Sequence, residues 1–195
     1  YKFLNGGPGA PAFIYIQKDL ITKLHSPIQG WFGHQSPFDF SLPYIPAEGI
    51  SRFDAGTPQV LSLIAMEAGI DLSLKAGITN IRKKSKDQTA YMIDLIVSKL
   101  TPLGFEIETP LSTEERGSHV TLKHQECWRV CKALIQGKDS GVKVIPDFRP
   151  PNYLRLGIAP IYTSFVDILR AIERVKEIMV TQEYFNIDNE RPTVT

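Results

Sequence analysis

Residues 153–165 have the sequence Tyr-Leu-Arg-Leu-Gly-Ile-Ala-Pro-Ile-Tyr-Thr-Ser-Phe, and the pattern changes in the middle of this stretch. The apolar segment from Tyr153 to Ala159 predicts a β-strand. Thr163 and Ser164 then predict the start of a helix, because their hydroxyls can accept hydrogen bonds from free backbone amides. The apolar residues that follow recur at helical spacing, at Phe165, Ile168, Leu169, Ile172 and Val175. The stretch therefore predicts a strand followed by a capped helix.

The residues that precede this stretch complete an α+β pattern. Polar and apolar residues alternate at 105–108 and at 119–123, as they do in half-buried strands. Residues 128–135 predict a helix, and residues 142–145 predict a further strand. Residues 146–151 are predicted to connect this strand to the one that begins at Tyr153. The predicted order is β-β-α-β-β-α, which indicates a small α+β domain.

The beginning of the chain has a different organisation. A nearly continuous apolar run at residues 11–16 predicts a strand that is buried on both faces of a sheet. Residues 18–24 predict a short helix. Residues 35–56 are rich in proline, glycine, serine and aromatic residues, and they predict a long irregular loop, a kind of segment that often carries function.

Two long helices connect the two parts. The first is predicted to begin with Thr57 at the N-cap and Pro58 at the first helical position, a favoured combination. The second is predicted over residues 76–100. We place the boundary between the domains near residues 100–104, which gives domains at 1–100 and 101–195.

Composition excludes some functional classes. The 195 residues include 22 Lys and Arg against 21 Asp and Glu, a formal net charge of +1, which argues against a nucleic-acid-binding or membrane-surface protein. No apolar run is long enough to span a bilayer. Cys127 and Cys131 lie four residues apart in a helical pattern, so we predict neither a disulfide nor a metal site, and a reducing cytosol as the setting. The chain starts without Met, and we interpret it as a fragment.

The chain opens with Tyr1-Lys2-Phe3-Leu4-Asn5-Gly6-Gly7-Pro8-Gly9. Aromatic and apolar neighbours can keep a lysine from water, which favours the free amine and its attack on a carbonyl carbon. Most lysines, however, lie on the surface. The glycines predict either a tight turn or a phosphate loop. The segment fits neither nucleotide-binding motif and Pro8 lacks an amide donor, so the sequence alone favours the turn.

Four other features have both a structural and a functional interpretation. Arg155, within an apolar strand, needs an acidic partner or a ligand carboxylate. His34 is either a site residue or a loop histidine held by a backbone bond. Thr57 is a helix cap or part of an anion site, because helix N-termini bind anions. Arg82-Lys83-Lys84-Ser85-Lys86 is a solvated helix face or a phosphate-binding patch.

Taken together, these segments resemble the kynureninases, a pyridoxal-phosphate-dependent family of the aminotransferase fold class. The motifs occur in the family's order and span nearly the whole chain. They are Tyr1-Lys2-Phe3-Leu4-Asn5 with the glycines after it, Gly30-Trp31-Phe32-Gly33-His34, Arg82-Lys83-Lys84-Ser85, Glu115-Arg116-Gly117, and Arg155 ahead of Ala159-Pro160-Ile161-Tyr162-Thr163-Ser164-Phe165. The resemblance implies an α/β fold, in which residues 1–100 end the large cofactor-binding domain and residues 101–195 form the small domain.

The resemblance also implies residue roles. Lys2 would carry pyridoxal 5′-phosphate as a covalent aldimine and move protons, and Tyr1 would bind the phosphate and donate a proton. Trp31 and Thr57 match positions that contact the cofactor phosphate. Arg155 would hold the substrate α-carboxylate, and His34 would lie near the aromatic end of the substrate.

The implied reaction is the hydrolysis of L-kynurenine, or its 3-hydroxy form, to anthranilate, or 3-hydroxyanthranilate, and L-alanine. This step belongs to tryptophan catabolism and NAD biosynthesis. The family implies a cytoplasmic homodimer that needs no metal, nucleic acid or membrane. Two alternatives stay open: another enzyme of the same fold, such as a cysteine desulfurase or an aminotransferase, and a non-catalytic interaction module.

Overall fold

The computed structural model describes residues 1–2, 4–137 and 142–190, so Phe3 of the opening motif lies outside the described residues. The chain divides into two compact units, unit 1 at Tyr1–Lys75 and unit 2 at Ala76–Thr195. In the part of the chain that the structure describes, no helix is long and apolar enough to cross a membrane.

Unit 1 is mostly irregular before one long helix. Its elements are helix α1 (Lys18–Ile21), 3-10 turns at Trp31–Gly33 and Gly49–Phe53, and helix α2 (Val60–Ala76), which ends one residue beyond the unit. The predicted short helix and the long irregular loop are therefore confirmed.

The prediction of a strand at residues 11–16 is wrong. These residues form no regular structure, and the side chains of Phe13 and Tyr15 are 75% and 84% exposed. A strand that is buried on both faces needs neighbouring strands and covering helices. Among the described residues of unit 1 there is no other strand with which this segment could pair.

Helix α2 begins later than predicted. Its first internal hydrogen bond runs from the Leu63 amide to the Gln59 carbonyl at 3.0 Å, so Thr57 precedes the helix and is not its N-cap. Apolar residues lie all round this helix, beside the charged residues Glu67, Asp71 and Lys75, yet Gly69 is its only buried residue, and Leu61 is 84% exposed. Apolar residues all round a helix are typical of one that other protein segments enclose.

Unit 2 contains the predicted β-β-α-β-β-α order after a long helix. The elements are α3 (Ile78–Lys99), β1 (Glu106–Ile107), β2 (His119–Lys123), α4 (Cys127–Gln136), β3 (Asp147–Arg149), β4 (Tyr153–Gly157) and α5 (Phe165–Val180). The strands form one antiparallel sheet in the order β1-β2-β4-β3. Helix α3 belongs to this unit, where it packs against α5. The division of a complete protein near residue 100 stays a prediction.

One strand of unit 2 lies later in the chain than predicted. Residues 142–145 are irregular, and β3 begins at Asp147, inside the segment that was predicted as a connection. Phe148 pairs with Leu154, and Arg149 with Tyr153, so β3 and β4 form a hairpin. Pairing with β4, which propensity cannot report, decides the position of this strand.

The core of unit 2 lies between the sheet and its helices. Alternate residues of the two central strands are buried there: Val120, Leu122, Leu154 and Leu156. They pack in one cluster with helix residues that include Ile96, Leu134 and Ile172. Full burial of one such side chain contributes roughly 1.5–3 kcal/mol to the free energy of unfolding.

A capping box fixes the start of α5, as predicted. The Ser164 hydroxyl accepts a hydrogen bond from the Asp167 amide at 3.1 Å, and the Asp167 carboxylate accepts one from the Ser164 amide at 2.8 Å. The hydrogen bonds that the Asp167 carboxylate accepts from Ser164, first the one from the backbone amide and then the one from the hydroxyl, hold the pKa of Asp167 below its usual value.

Two arginines attach the 108–118 loop, the segment between β1 and β2, to helix α3. Arg82 donates to the carbonyl oxygens of Thr113 and Arg116, at 2.6 and 3.0 Å. Arg116 is itself buried and donates to the Thr89 hydroxyl at 3.0 Å and to the Leu111 carbonyl. The Arg-Lys-Lys-Ser and Glu-Arg-Gly motifs therefore meet in space.

Candidate active site

The glycines of Gly30-Trp31-Phe32-Gly33-His34 allow two backbone segments to come together. A Cβ atom at Gly30 would lie 1.6 Å from the Ala55 carbonyl oxygen, and one at Gly33 would lie 2.6 Å from the Asp54 carbonyl oxygen. Both distances are far below any van der Waals contact, and both opposing atoms are backbone. Only glycine fits at either position, so the motif is a requirement of packing inside unit 1.

This packing brings Trp31 beside the segment that carries Thr57. A Cβ atom at Gly56 would lie 3.9 Å from Trp31 Nε1, and Trp31 is 46% exposed. The indole ring meets the Phe32 ring edge-on, with a centroid distance of 4.8 Å. Trp31 therefore lies close to the residue that precedes Thr57, and Trp31 and Thr57 have an indole N–H and an exposed hydroxyl as hydrogen-bond donors.

His34 is held by the backbone around it. Its Nδ1 accepts a hydrogen bond from the Ser36 amide at 2.9 Å, and its Nε2 lies 3.3 Å from the Pro43 carbonyl oxygen. The Tyr44 ring packs edge-on at 5.4 Å. An imidazole that accepts at Nδ1 and faces a carbonyl at Nε2 carries its proton on Nε2. This is the loop histidine of the structural interpretation, and a role towards substrate stays a prediction.

The opening segment contains the tight turn that the sequence favours. The Ala10 amide donates to the Gly7 carbonyl at 3.2 Å, and Gly7 and Gly9 have φ angles of +76° and +83°. Lys2 is exposed, and its Nζ lies 5.4 Å from the centre of the Tyr1 ring. The argument that Lys2 is shielded from water is therefore wrong for this structure, because an aromatic ring covers one side of the ammonium only.

Arg155 lies in unit 2, on the sheet face opposite the core. Because strand residues alternate, its neighbours Leu154 and Leu156 are buried while the Arg155 side chain is 33% exposed. It stands directly opposite Asp147 in the β3–β4 register and donates to that carboxylate. Arg149 donates to the same carboxylate at 2.8 Å. The acidic partner that the structural interpretation of Arg155 requires is Asp147, and the role of Arg155 towards substrate stays a prediction.

Sequence reasoning missed Asp147 because it placed this residue in a connection. The signal that could have indicated its role was charge, because Arg149 and Arg155 follow Asp147 within eight residues. Residues of opposite charge that face each other on the two strands of a hairpin stabilise it, as Asp147 and Arg155 do here.

The basic cluster at residues 82–86 is neither a free anion site nor a purely solvated face. Arg82 is occupied by the 108–118 loop, and the Ser85 hydroxyl is buried and bonded to the Ser118 hydroxyl at 2.7 Å. Lys86 forms an ion pair with Glu114 at 2.6 Å, and Lys83 is exposed. The cluster serves mainly to attach the loop to α3.

Both cysteines are buried in α4, which confirms that they form no disulfide. Burial raises the pKa of the Cys127 thiol to about 12 and that of Cys131 to about 11. A thiol of this kind is protonated at neutral pH and is a poor nucleophile.

A cavity of about 590 Å³ in unit 2 contains none of these candidate residues. It is lined by the end of β4, by residues 142–146 and by residues of α5 that include Asp167 and Arg170.

Comparisons with known proteins show which proteins this chain is similar to. The model of the family "Kynureninase C-terminal domain" matches residues 81–175. Curated kynureninases from Deinococcus radiodurans, Bacillus cereus and Burkholderia mallei are 38%, 37% and 35% identical to the chain, over 92%, 100% and 94% of its length. The chain spans 42%, 44% and 43% of those relatives, less than half of each.

Solved structures show the same fold at low identity. A cysteine desulfurase from Thermococcus onnurineus, determined in the apo form, superposes with a TM-score of 0.66 at 18% identity, over 86% of this chain and 42% of the other. A NifS-like protein gives a TM-score of 0.51 at 16% identity, over 73% and 40%. These structures confirm the predicted α/β fold class as the C-terminal portion of larger enzymes. The sequence matches are more specific: the chain is similar to part of curated kynureninases over nearly its whole length, and residues 81–175 match the model of the kynureninase C-terminal domain.

Proposed function

We propose that this chain supplies the C-terminal part of a pyridoxal-phosphate-dependent kynureninase. The enzyme would hydrolyse L-kynurenine, or 3-hydroxykynurenine, to anthranilate, or 3-hydroxyanthranilate, and L-alanine. The observation that carries the proposal is the 35–38% identity to curated kynureninases over nearly the whole chain. The chain matches 42–44% of their length, so we expect the remaining parts of the active site in the rest of a complete enzyme.

The residues of unit 1 fit the proposed cofactor. A phosphate needs hydrogen-bond donors, and Trp31 and the exposed Thr57 offer an indole N–H and a hydroxyl. Lys2 offers an exposed amine, which would hold the cofactor covalently, and Tyr1 a hydroxyl next to it. When bound, pyridoxal phosphate supplies an electron sink for charge that develops on the substrate α-carbon. The Lys2 amine would take and return the α-carbon proton.

Arg155 is the proposed grip on the substrate α-carboxylate. A guanidinium offers two parallel N–H donors that match a carboxylate, and one third of the Arg155 side chain is open to solvent. Asp147 bonds one end of the guanidinium and orients it. His34 would lie near the aromatic end of the substrate, as the family resemblance implies.

The test is kynurenine hydrolysis by the complete enzyme, followed as release of anthranilate and alanine. Lys2→Ala is expected to abolish turnover, whereas Lys18→Ala, at an exposed lysine of α1, is the matched control and should not. Borohydride reduction in the presence of the cofactor should leave a pyridoxyl adduct at residue 2, seen by peptide mass spectrometry. Absence of that adduct would refute the proposal and favour the non-catalytic module. We expect no turnover from the 195-residue chain alone.

Arg155→Lys tests the carboxylate grip. Loss of one charged hydrogen bond is worth roughly 1.5–3 kcal/mol, so KM for kynurenine should rise about tenfold to a hundredfold. Arg149→Lys is the control, because Arg149 shares the Asp147 carboxylate without a proposed contact to substrate. Equal KM values for the two variants would contradict the role of Arg155.

Buried thiols disfavour the desulfurase alternative. A desulfurase needs a reactive thiolate, and the pKa values of Cys127 and Cys131 are raised by burial. We expect iodoacetamide to alkylate neither cysteine in the folded protein at pH 7.5 and both after denaturation. Rapid alkylation of the folded protein, or release of sulfide from cysteine, would favour the desulfurase. Transfer of an amino group to a keto acid would favour an aminotransferase.

The proposal includes a homodimer in the cytoplasm, as the family resemblance implies. Light scattering of the complete enzyme is expected to give twice the monomer mass, and a monomeric mass with full activity would contradict the dimer.

A further inference from the structure

Gly69 is the one buried residue of helix α2, in the middle of a helix whose other side chains are partly or fully exposed. Glycine inside a helix lowers helix stability relative to alanine, so its presence there calls for a reason. Neither the helical pattern nor the family motifs drew attention to this position.

The reason is contact with the opening segment of the chain. A Cβ atom at Gly69 would lie 2.4 Å from the Leu4 carbonyl oxygen, 2.6 Å from the Asn5 carbonyl oxygen and 2.8 Å from the Asn5 carbonyl carbon. All three are backbone atoms, which cannot rotate away as the end of a flexible side chain can. Any residue other than glycine must displace residues 4 and 5.

A second contact lies on the same side of α2. A Cβ atom at Gly6 would lie 2.9 Å from Met66 Cγ, and Met66 precedes Gly69 by three residues, which places both on one helix face. Helix α2 therefore presents a flat seat, formed by Met66 and Gly69, on which the backbone of residues 4–6 rests.

The residues that rest on this seat are joined to Lys2 by a single backbone turn. The Asn5 amide donates to the Lys2 carbonyl at 3.3 Å, and Asn5 has a φ of +54°, a left-handed conformation that asparagine tolerates. The turn is joined to Lys2 by this hydrogen bond, and the backbone of Asn5 contacts helix α2 at Gly69. A shift of Asn5 therefore also moves Lys2.

We propose that Gly69 is a positioning residue for the Lys2 amine: by lacking a side chain, it lets the lysine-bearing turn lie directly on α2. This inference rests on the proposed function of Lys2. It adds a residue that touches neither cofactor nor substrate and that acts through the backbone of Leu4 and Asn5.

Two effects of Gly69→Ala point in opposite directions. Alanine favours the helix, so α2 itself should be no less stable. The added methyl group displaces the turn, and misplacement of a reacting group by about 1 Å can cost up to roughly a hundredfold in rate. A residue that served only the helix would show the first effect without the second.

The experiment compares cofactor trapping at two lysines of the same sample. The complete enzyme, free of cofactor, is mixed with pyridoxal phosphate and reduced with borohydride after timed intervals. Mass spectrometry then gives the ratio of the adduct on Lys2 to that on Lys18, an exposed lysine of α1. Thermal unfolding of the cofactor-free proteins and their helix content by circular dichroism are measured in parallel.

We expect Gly69→Ala to lower the Lys2-to-Lys18 ratio by roughly tenfold or more while helix content is retained. Glu67→Ala, which places alanine at an exposed position of the same helix, should keep the wild-type ratio. An unchanged ratio in Gly69→Ala overturns the proposal. If the wild type itself shows no preference for Lys2 over Lys18, the proposed function and this inference both fail.

A second variant covers the case in which Gly69→Ala does not fold. Met66→Ala removes the side chain that Gly6 contacts without creating a clash, so the seat becomes looser. The Lys2-to-Lys18 ratio should fall here too, although by less than in Gly69→Ala, and a wild-type ratio in a folded Met66→Ala protein would overturn the proposal.

Discussion

The two units of this chain bury their apolar residues to very different extents. In unit 2 the sheet and its helices enclose a continuous core that includes Ile96, Phe105 and Leu134, each at most 1% exposed. In the described residues of unit 1, the buried positions are glycines: Gly6, Gly33 and Gly69. Many of its large apolar side chains are exposed, and the exposure exceeds 80% for Phe40 and Leu61.

The difference teaches how each unit keeps its shape. Unit 2 is held by apolar side chains removed from water, the main favourable contribution to folding. Unit 1 is held by close approaches of backbone at its glycines and by hydrogen bonds in its turns, which contribute about 0.5–1.5 kcal/mol each. Unit 2 therefore has what an independent domain needs, and unit 1 has the surface of a segment that packs against further protein.

Separating the units gives the largest expected effect. Residues 76–195 expressed alone should unfold cooperatively on heating, because the core cluster lies entirely within them. Residues 1–75 expressed alone should show no cooperative transition and should bind a hydrophobic dye. Circular dichroism with a thermal ramp makes the comparison, and a cooperative transition of residues 1–75 would refute it.

Removing the same side chain in both units should give the next largest difference. Leu134→Ala leaves a cavity in the core and should lower the free energy of unfolding by about 2–5 kcal/mol. Leu61→Ala, at an exposed position of α2, should change it by no more than about 0.5 kcal/mol. Urea unfolding of the 195-residue chain measures both. Similar losses would mean that Leu61 is packed in solution.

The smallest effect concerns the start of one helix in each unit. Ser164→Ala removes the capping box of α5 and should cost about 1 kcal/mol. Thr57→Ala, at a residue that caps no helix in the structure, should cost less than about 0.5 kcal/mol in the cofactor-free chain. Equal losses would show that Thr57 caps α2 after all.

The capping box also gives a pH dependence with a definite sign. The folded pKa of Asp167 is lowered, so its contribution to stability is present above the unfolded pKa. It is lost as the pH falls through the folded pKa. The difference in stability between wild type and Asp167→Ala should therefore shrink on acidification below pH 4, and a constant difference would show that the ionised carboxylate is not what stabilises the start of α5.

Local patterns predicted the parts of the fold that local interactions decide. The start of α5 is encoded by Ser164 and Asp167 three residues apart, and β2 by alternation over residues 119–123. The position of β3 was missed because its pairing partner lies in another segment. The run at residues 11–16 was taken for a strand because its composition suits one, although unit 1 provides no neighbour for it.

The residues of the candidate site also fall into those that the local sequence indicates and those that depend on contacts with other segments. Lys2, Trp31 and Arg155 were predicted as site residues from their residue type together with the family motifs, and their roles stay predictions. Asp147 and Gly69 were missed, since one acts by its register in a hairpin and the other by having no side chain. An isolated glycine inside a helical pattern is the signal that could have found Gly69.

The attachment of the 108–118 loop has a consequence for how this region tolerates change. Arg82 and Arg116 donate to carbonyl oxygens of Leu111, Thr113 and Arg116 itself, and every amino acid supplies such an oxygen. The side chains at positions 111 and 113 can therefore be exchanged freely without loss of the attachment. An inserted residue would move each carbonyl out of register with its guanidinium, so positions 111 and 113 of this loop accept substitutions, whereas the loop does not accept a change of length.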